Sequence, residues 1–143
     1  MSVDCEILEK LREKFSNDPY AKLLGVELLE VKEGYGRASL TIRDDMLNFH
    51  GVAHGGLIAS LADVVFAAAS NSHNKKAVAL NLSINYRKPA KAGDILIAEA
   101  FEESLGKHTA LYRIVVQNSK GDVIAIGQGL VYRLEEPVVP LEA

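Results

Sequence analysis

A single cysteine, Cys5, and no tryptophan are found among the 143 residues. One thiol rules out an intrachain disulfide and any cysteine-built metal cluster. Proline is nearly as sparse: the four prolines are scattered, and no Gly/Ser-rich linker, internal repeat or low-complexity tract divides the chain. One domain over residues 1–143 is therefore expected, large enough to bury a hydrophobic core. Charge of one sign is also missing. A formal net charge of −3 gives no general attraction to nucleic acid or to an anionic membrane, and neither is expected as a partner. No apolar run reaches the ~20 residues of a membrane span. The longest, near Leu57 to Ala69, contains Asp63 and reads as a buried helix of a soluble fold. The opening MSVDCEILEK is too charged for a secretory signal, so a cytoplasmic location is expected.

What is present is strongly periodic. CEILEKLREKF places Ile7, Leu8, Leu11 and Phe15 at helical spacing, and Pro19 supplies a stop, so an N-terminal helix is expected within residues 1–19. GVELLEVKEGYGRASLTI reads as a hairpin about Gly34 to Gly36, with Val26, Leu28, Leu40 and Ile42 as buried candidates. RDDMLNFHGVA breaks the pattern and delivers the chain to Gly55 and Gly56, where the apolar helix begins. VALNLSINY then alternates as a half-buried strand, and three more strands follow on the turns SLGKH and SKGD. Four strands on successive connections predict an antiparallel meander, and the tail at 135–143, with two prolines, should leave the sheet. The fold class is α+β: one antiparallel sheet wrapped around one long apolar helix. A single sheet cannot enclose such a helix, so a partner subunit is expected to cover the rest.

Asp63 stands in the middle of that helix. A carboxylate removed from water without partners is costly, so it must be paired, hydrogen-bonded or facing a cleft. At the helix start, the first N–H groups have no intrahelical acceptor and point outward with partial positive charge, ready for an anion or an oxyanion. Glycine at 55 and 56 leaves nothing on Cβ to obstruct a ligand. Asp63 is eight residues beyond Gly55, or ~12 Å along a helix. The two cannot serve one carbonyl within a chain, but two such helices packed antiparallel about a two-fold axis would bring Asp63 of one to Gly55 of the other.

Asn48, then His54-Gly55-Gly56, then Leu61-Ala62-Asp63 resemble the signature of hotdog-fold acyl-CoA thioesterases of the phenylacetic-acid-degradation (PaaI-like) group, and the likeness extends through NYRKPAKAGD to VIAIGQGLVYRL. The resemblance implies that Gly55 offers its N–H to the thioester carbonyl and that Asp63 of the other subunit activates water or attacks directly. It also implies that Asn48 orients the reacting groups and that His54 supports the turn. Some members carry Ser or Thr, which positions the water, where Ala79 stands here, so the resemblance implies that Asn81 or a backbone carbonyl does that work or that turnover is slow. Coenzyme A would arrive as part of the substrate, with no separate cofactor, and a homodimer, in turn a homotetramer, is implied. Gly56 is a further candidate contact, as are Arg87, Lys88 and Lys107 for the coenzyme A phosphates. Leu47, Phe49, Leu57, Leu61 and Phe66 are candidates for an acyl pocket that would take an aryl or a fatty chain.

Two other readings use the same residues. A hydratase or dehydratase of acyl thioesters would require His54 as acid or base, and a binding module would hold acyl-CoA without turnover, a reading that Ala79 favours. His50 and His54 have the spacing of helical zinc ligands, but the intervening glycine argues for a loop and no third ligand follows, so no metal is expected. His73 and His108 read as surface residues. Cys5 lies outside the motif, and no G-x-S-x-G nucleophile elbow occurs.

Overall fold

The computed structural model describes residues 3–140. The opening amphipathic segment forms α1 (Cys5–Ser16), begun by Asp4, whose carboxylate accepts the Ile7 N–H at 2.9 Å. Leu11 is fully buried on its apolar stripe. Pro19, expected to end this helix, instead opens another, α2 (Pro19–Leu24), with Asp18 as its cap. Proline suits that position because the N–H it lacks would have no helical acceptor there. The N-terminal unit is thus a helix pair reaching residue 24.

Six strands, β1 (Glu27–Lys32), β2 (Tyr35–Thr41), β3 (Ala77–Tyr86), β4 (Ile95–Leu105), β5 (Thr109–Asn118) and β6 (Val123–Arg133), form one sheet in the order β1-β2-β4-β5-β6-β3. All neighbours are antiparallel. The β1–β2 hairpin matches the sequence pattern, but the four-strand meander does not form. Only β4, β5 and β6 run consecutively; β3 sits at the edge against β6, and β4 pairs with β2. Alternation reports which face of a strand is buried and carries no information about its partner. Residues 87–94 are long enough to carry the chain from one side of the sheet to the middle. Along β3 the alternation also fails where the register shifts between Ala79 and Asn81. Leu82 and Ile84 reach the core, whereas Val78 and Leu80 stay exposed.

The apolar helix, α3 (Gly55–Ser70), lies across the inner face of this sheet. Its Leu61, Ala62, Val65 and Phe66 are buried against Leu40, Leu96, Ile114, Val116 and Val131. Burial of each large side chain contributes about 1.5–3 kcal/mol relative to exposure. The helix comes close because the sheet beneath it is small: Gly36 stands opposite Ala100 and Ala38 opposite Ala98. A Cβ on Gly36 would meet the Val65 carbonyl oxygen at 3.1 Å, and one on Gly129 would stand 2.5 Å from the Phe66 ring. Past β6 the chain leaves the sheet as expected. Asn74 holds it, with Oδ1 accepting the N–H of Val138 and Val139 and Nδ2 donating to the Val139 carbonyl; the last residues of the expected tail, 141–143, lie outside the described residues. No helix among the described residues is long and apolar enough to cross a membrane.

Gly129→Ala should lower stability by about 1–3 kcal/mol through overpacking, read as a lower denaturation midpoint. Phe66→Leu in the same chain should recover part of that loss, a coupling that a double-mutant cycle measures. Additive losses would show that the ring does not set the limit.

Candidate active site

The loop before α3 is built by its own backbone. Leu47 bridges Ala53, the Asn48 N–H donates to the Val52 carbonyl at 2.8 Å, and the His54 N–H donates to the Met46 carbonyl at 2.8 Å. The Asn48 side-chain oxygen accepts the N–H groups of His50 and Val52 at 2.9 and 3.3 Å. That leaves its amide hydrogens free of any partner among the described residues. His54 caps α3, with Nδ1 accepting the Gly56 N–H at 2.9 Å. An accepting Nδ1 assigns the ring proton to Nε2.

This cap divides the two glycines. The Gly56 N–H, in a residue expected from the sequence to contact substrate, is spent on His54 within the chain. The Gly55 N–H makes no hydrogen bond among the described residues. Its own peptide is polarised, because the His54 carbonyl accepts N–H groups from Leu57 and Ile58 at 3.0 and 3.2 Å. A free, polarised donor therefore stands at the positive end of a helix. The sequence suggested that the space beside its α-carbon is open to a ligand, but the Tyr86 side chain fills it. A Cβ there would stand 3.3 Å from the Tyr86 ring, whose hydroxyl donates to the Gly55 carbonyl at 2.9 Å. A Cβ on Gly56 would crowd His54 Nδ1 at 3.2 Å. Both glycines make room for side chains that fix the turn.

Asp63 is not buried in the single chain. It belongs to the outward face of α3, in line with Gly56, Ser60 and Ala67. This face opens on a cleft of about 610 Å³ between α3 and the α1–α2 pair, with Phe15, Asp18, Val26 and Val64 among its walls. Facing a cleft is thus the solution adopted for the acid. The Tyr20 hydroxyl and Ser60 Oγ, 2.8 Å apart, tie α2 to α3. Although one side of Asp63 meets solvent, the walls hinder hydration of its carboxylate and raise its pKa above the ordinary value; the charge of Asp18 adds to the effect.

The expected acyl-pocket residues are placed differently. Leu57, Leu61 and Phe66 belong to the core, and Phe49 is 92% exposed at the loop tip. The apolar residues that do line the cleft are Phe15, Pro19, Tyr20 and Ala21 of the N-terminal unit, Val26 and Leu28 at β1, Val64, Ala67 and Ala68 of α3, and Val138. The one sequence signal for this wall is Asp18-Pro19, a cap followed by proline at a helix start.

The basic candidates also separate. Arg87 and Lys88 follow β3, while Lys107 lies in the β4–β5 turn, at the far end of the eleven-residue β4, a distance of roughly 35 Å. They cannot hold one phosphate group within one chain. Lys88 Nζ stands 3.1 Å from Asp122, whose pKa is lowered by the Asn118 amide first and then by Lys88. Ala79 pairs with buried Val131 and so shares the helix-facing side, whereas Asn81 pairs with Leu130 on the other face. Asn81 is not placed to substitute for a hydroxyl at 79. His73 is not a bare surface residue: Nε2 is 2.6 Å from Glu102, Nδ1 is 3.4 Å from Glu33, and the buried Tyr112 hydroxyl donates to the same Glu102 carboxylate. His108 is exposed and stacks on Tyr132. His50 packs against Phe49, and the described residues contain no cluster of three His, Cys, Asp or Glu suited to a metal.

Residues 50–125 match the family model described as the thioesterase superfamily. The acyl-coenzyme A thioesterase PaaI of Escherichia coli is 38% identical over 120 residues, covering 84% of this chain and 86% of that protein. The solved structure of E. coli PaaI, from the phenylacetic acid degradation operon, superposes with a TM-score of 0.88 at 34% identity and covers 92% of this chain and 95% of that one. A Streptococcus mutans protein solved bound to acetyl CoA superposes with a TM-score of 0.76 at 28% identity, covering 78% and 90% of the two chains.

The raised pKa of Asp63 has a consequence for stability. At low pH the group is protonated in the folded and unfolded chain alike; as pH rises from the ordinary Asp value through the raised folded one, ionisation favours the unfolded chain. Asp63→Asn should therefore match the wild type at about pH 3 and exceed it at about pH 7 in thermal midpoint. A variant less stable at both would show that the carboxylate is a structural partner.

Proposed function

The chain belongs to the thioesterase superfamily and is a thioester hydrolase of the hotdog fold, and from that premise we propose that it hydrolyses an aryl- or fatty-acyl-CoA at a site shared by two subunits. The observation that carries the proposal is the division of the helix start: Gly56 is capped, and Gly55 is left as a free donor, two turns from an unpaired Asp63 on the same helix. The separation along α3, ~12 Å, is too great for both to act on one carbonyl in one chain. A two-fold axis with Ala59 facing Ala59 of a second copy would set Asp63 against Gly55 of that copy. The free edge of β3, with Val78 and Leu80 about half exposed, supports this pairing, since an edge strand presents unpaired N–H and C=O groups to another chain. Joining two β3 edges antiparallel would also bring the Lys107 end of one copy toward the Arg87 and Lys88 end of the other, which offers a coenzyme A contact that neither chain has alone.

In this arrangement the thioester carbonyl accepts the Gly55 N–H. Asp63 of the other copy either takes a proton from water as it adds to the carbonyl carbon or attacks that carbon itself. Its raised pKa makes it the better base. The negative charge that develops on the carbonyl oxygen meets the helix N-terminus, and collapse of the intermediate expels the coenzyme A thiolate, leaving the free acid when water has added, or an acyl anhydride of Asp63 that a water then hydrolyses when Asp63 has attacked. The free amide hydrogens of Asn48 are available to orient the acyl group or water. These steps call for no metal or organic cofactor. The capping bond of His54 Nδ1 supports a positioning role for that residue over the proton transfers that a dehydratase would demand of it.

Free-thiol release from aryl-, short-chain and long-chain acyl-CoAs should fall by about 10²–10⁴-fold in Asp63→Asn; release that survives the substitution would remove Asp63 from the chemistry. Subunit sharing has its own check. Gly55→Pro removes the donor at a first-turn position, and His54 already has the extended backbone that must precede it; the Tyr86 ring, 3.3 Å from a Cβ there, must shift to admit it, so the variant is first shown to be a folded dimer by circular dichroism and sedimentation. Asp63→Asn and Gly55→Pro homodimers should each be inactive. Re-associated mixtures should regain about a quarter of wild-type activity, because half the dimers carry one intact site. A site confined to one chain would leave the mixture inactive.

A further inference from the structure

The cleft beside Asp63 has an apolar interior and a charged mouth. Phe15, Val26, Leu28, Val64, Ala68 and Val138 supply the interior, and Lys14, Asp18 and Asp63 supply the charges. Its volume of about 610 Å³ falls in the range of small-molecule sites. The wall opposite α3 is tied to it by Tyr20, whose hydroxyl meets Ser60 Oγ at 2.8 Å, and within that wall the Asp18 carboxylate caps α2 by accepting the Ala21 N–H at 2.9 Å. Asp18 is therefore fixed as a helix cap, and Asp63 is fixed by α3. Lys14 differs, being an exposed side chain in the last turn of α1, with a flexible stem that lets its ammonium stay in water.

We propose that α1 and α2 form the acyl-selecting wall of the site and that Asp18 makes it reject acyl groups ending in an anion. This rests on the thioesterase reading. A thioester bound at Asp63 has the cleft as the nearest apolar space for its acyl group. A neutral chain entering it exchanges water for Phe15, Val26 and Val64. A chain with a terminal carboxylate brings a like charge toward Asp63, whose hydration is hindered, and toward exposed Asp18 at the mouth, and the repulsion is less screened beside Asp63 than in open water. Asp63 has its pKa raised first by lost hydration and then by the charge of Asp18, so the two acids already share one field.

The test uses the intact protein and two substrates of equal chain length, hexanoyl-CoA and adipoyl-CoA, which differ by a terminal carboxylate. The wild type should favour hexanoyl-CoA in kcat/KM by at least about tenfold. Asp18→Asn keeps a capping side chain and so the fold, and it should shrink that preference by about threefold, the size expected of one solvent-screened charge, mainly through a lower KM for adipoyl-CoA. An unchanged preference in Asp18→Asn would overturn the proposal. A wild type that favours adipoyl-CoA, as capture by Lys14 would produce, would overturn it too. Thiol release from neither substrate, nor from the wider acyl-CoA panel, would refute the thioesterase reading and this inference with it.

Discussion

The close seating of α3 on the sheet is the constraint from which the rest of the molecule follows. Gly36, Ala38, Ala98 and Ala100 lower the surface beneath one part of the helix, and Gly129 accepts the Phe66 ring beneath another. With Leu61, Ala62 and Val65 committed to that contact, the remaining face of the helix has to be the one bearing Gly56, Ser60, Asp63 and Ala67. An acid in an apolar helix is tolerated because the packing of the other faces turns it outward.

The helix start shows how two neighbouring amides receive different tasks. A helix leaves its first N–H groups without acceptors, and here His54 satisfies one and leaves the other. Capping Gly56 fixes the turn, while the free Gly55 N–H retains the partial charge of the helix end. Tyr86 holds the same turn from β3, through the Gly55 carbonyl. The Gly55 N–H and the poorly hydrated Asp63 carboxylate are thus two groups on one helix that the fold leaves without a partner among the described residues.

The N-terminal helix pair gives this helix face its other boundary. Leu11 anchors α1 in the fold, and the Tyr20–Ser60 contact lays α2 against α3. The enclosed space is apolar within and acidic at its mouth, and Asp63 belongs to both. Asp63, Asp18 and the apolar walls thus share one cleft, and the charge of Asp18 adds to the raised pKa of Asp63 that hindered hydration sets.

Local chemistry was legible in the sequence. Helical spacing from Ile7 to Phe15, the apolar run of α3, the alternation along the strands, and the Asn48, His-Gly-Gly and Asp63 pattern all depend on residues within a few positions of one another. Those intervals are what helical and extended backbones convert directly into faces. The α+β class and the sheet-around-helix plan follow from them, because an all-apolar helix must be covered. The partners of β3 and β4, the second helix begun by Pro19, the pairing of His73 with two glutamates, and the wide separation of Lys107 from Arg87 depend on contacts between distant segments. Periodicity does not encode such contacts. The sequence alone determined which residues could serve as donor, base and cap; the tertiary structure decided which amide stays free, which way Asp63 faces and what walls its cleft, because packing of remote segments fixes which groups are spent within the fold and which are left for a ligand.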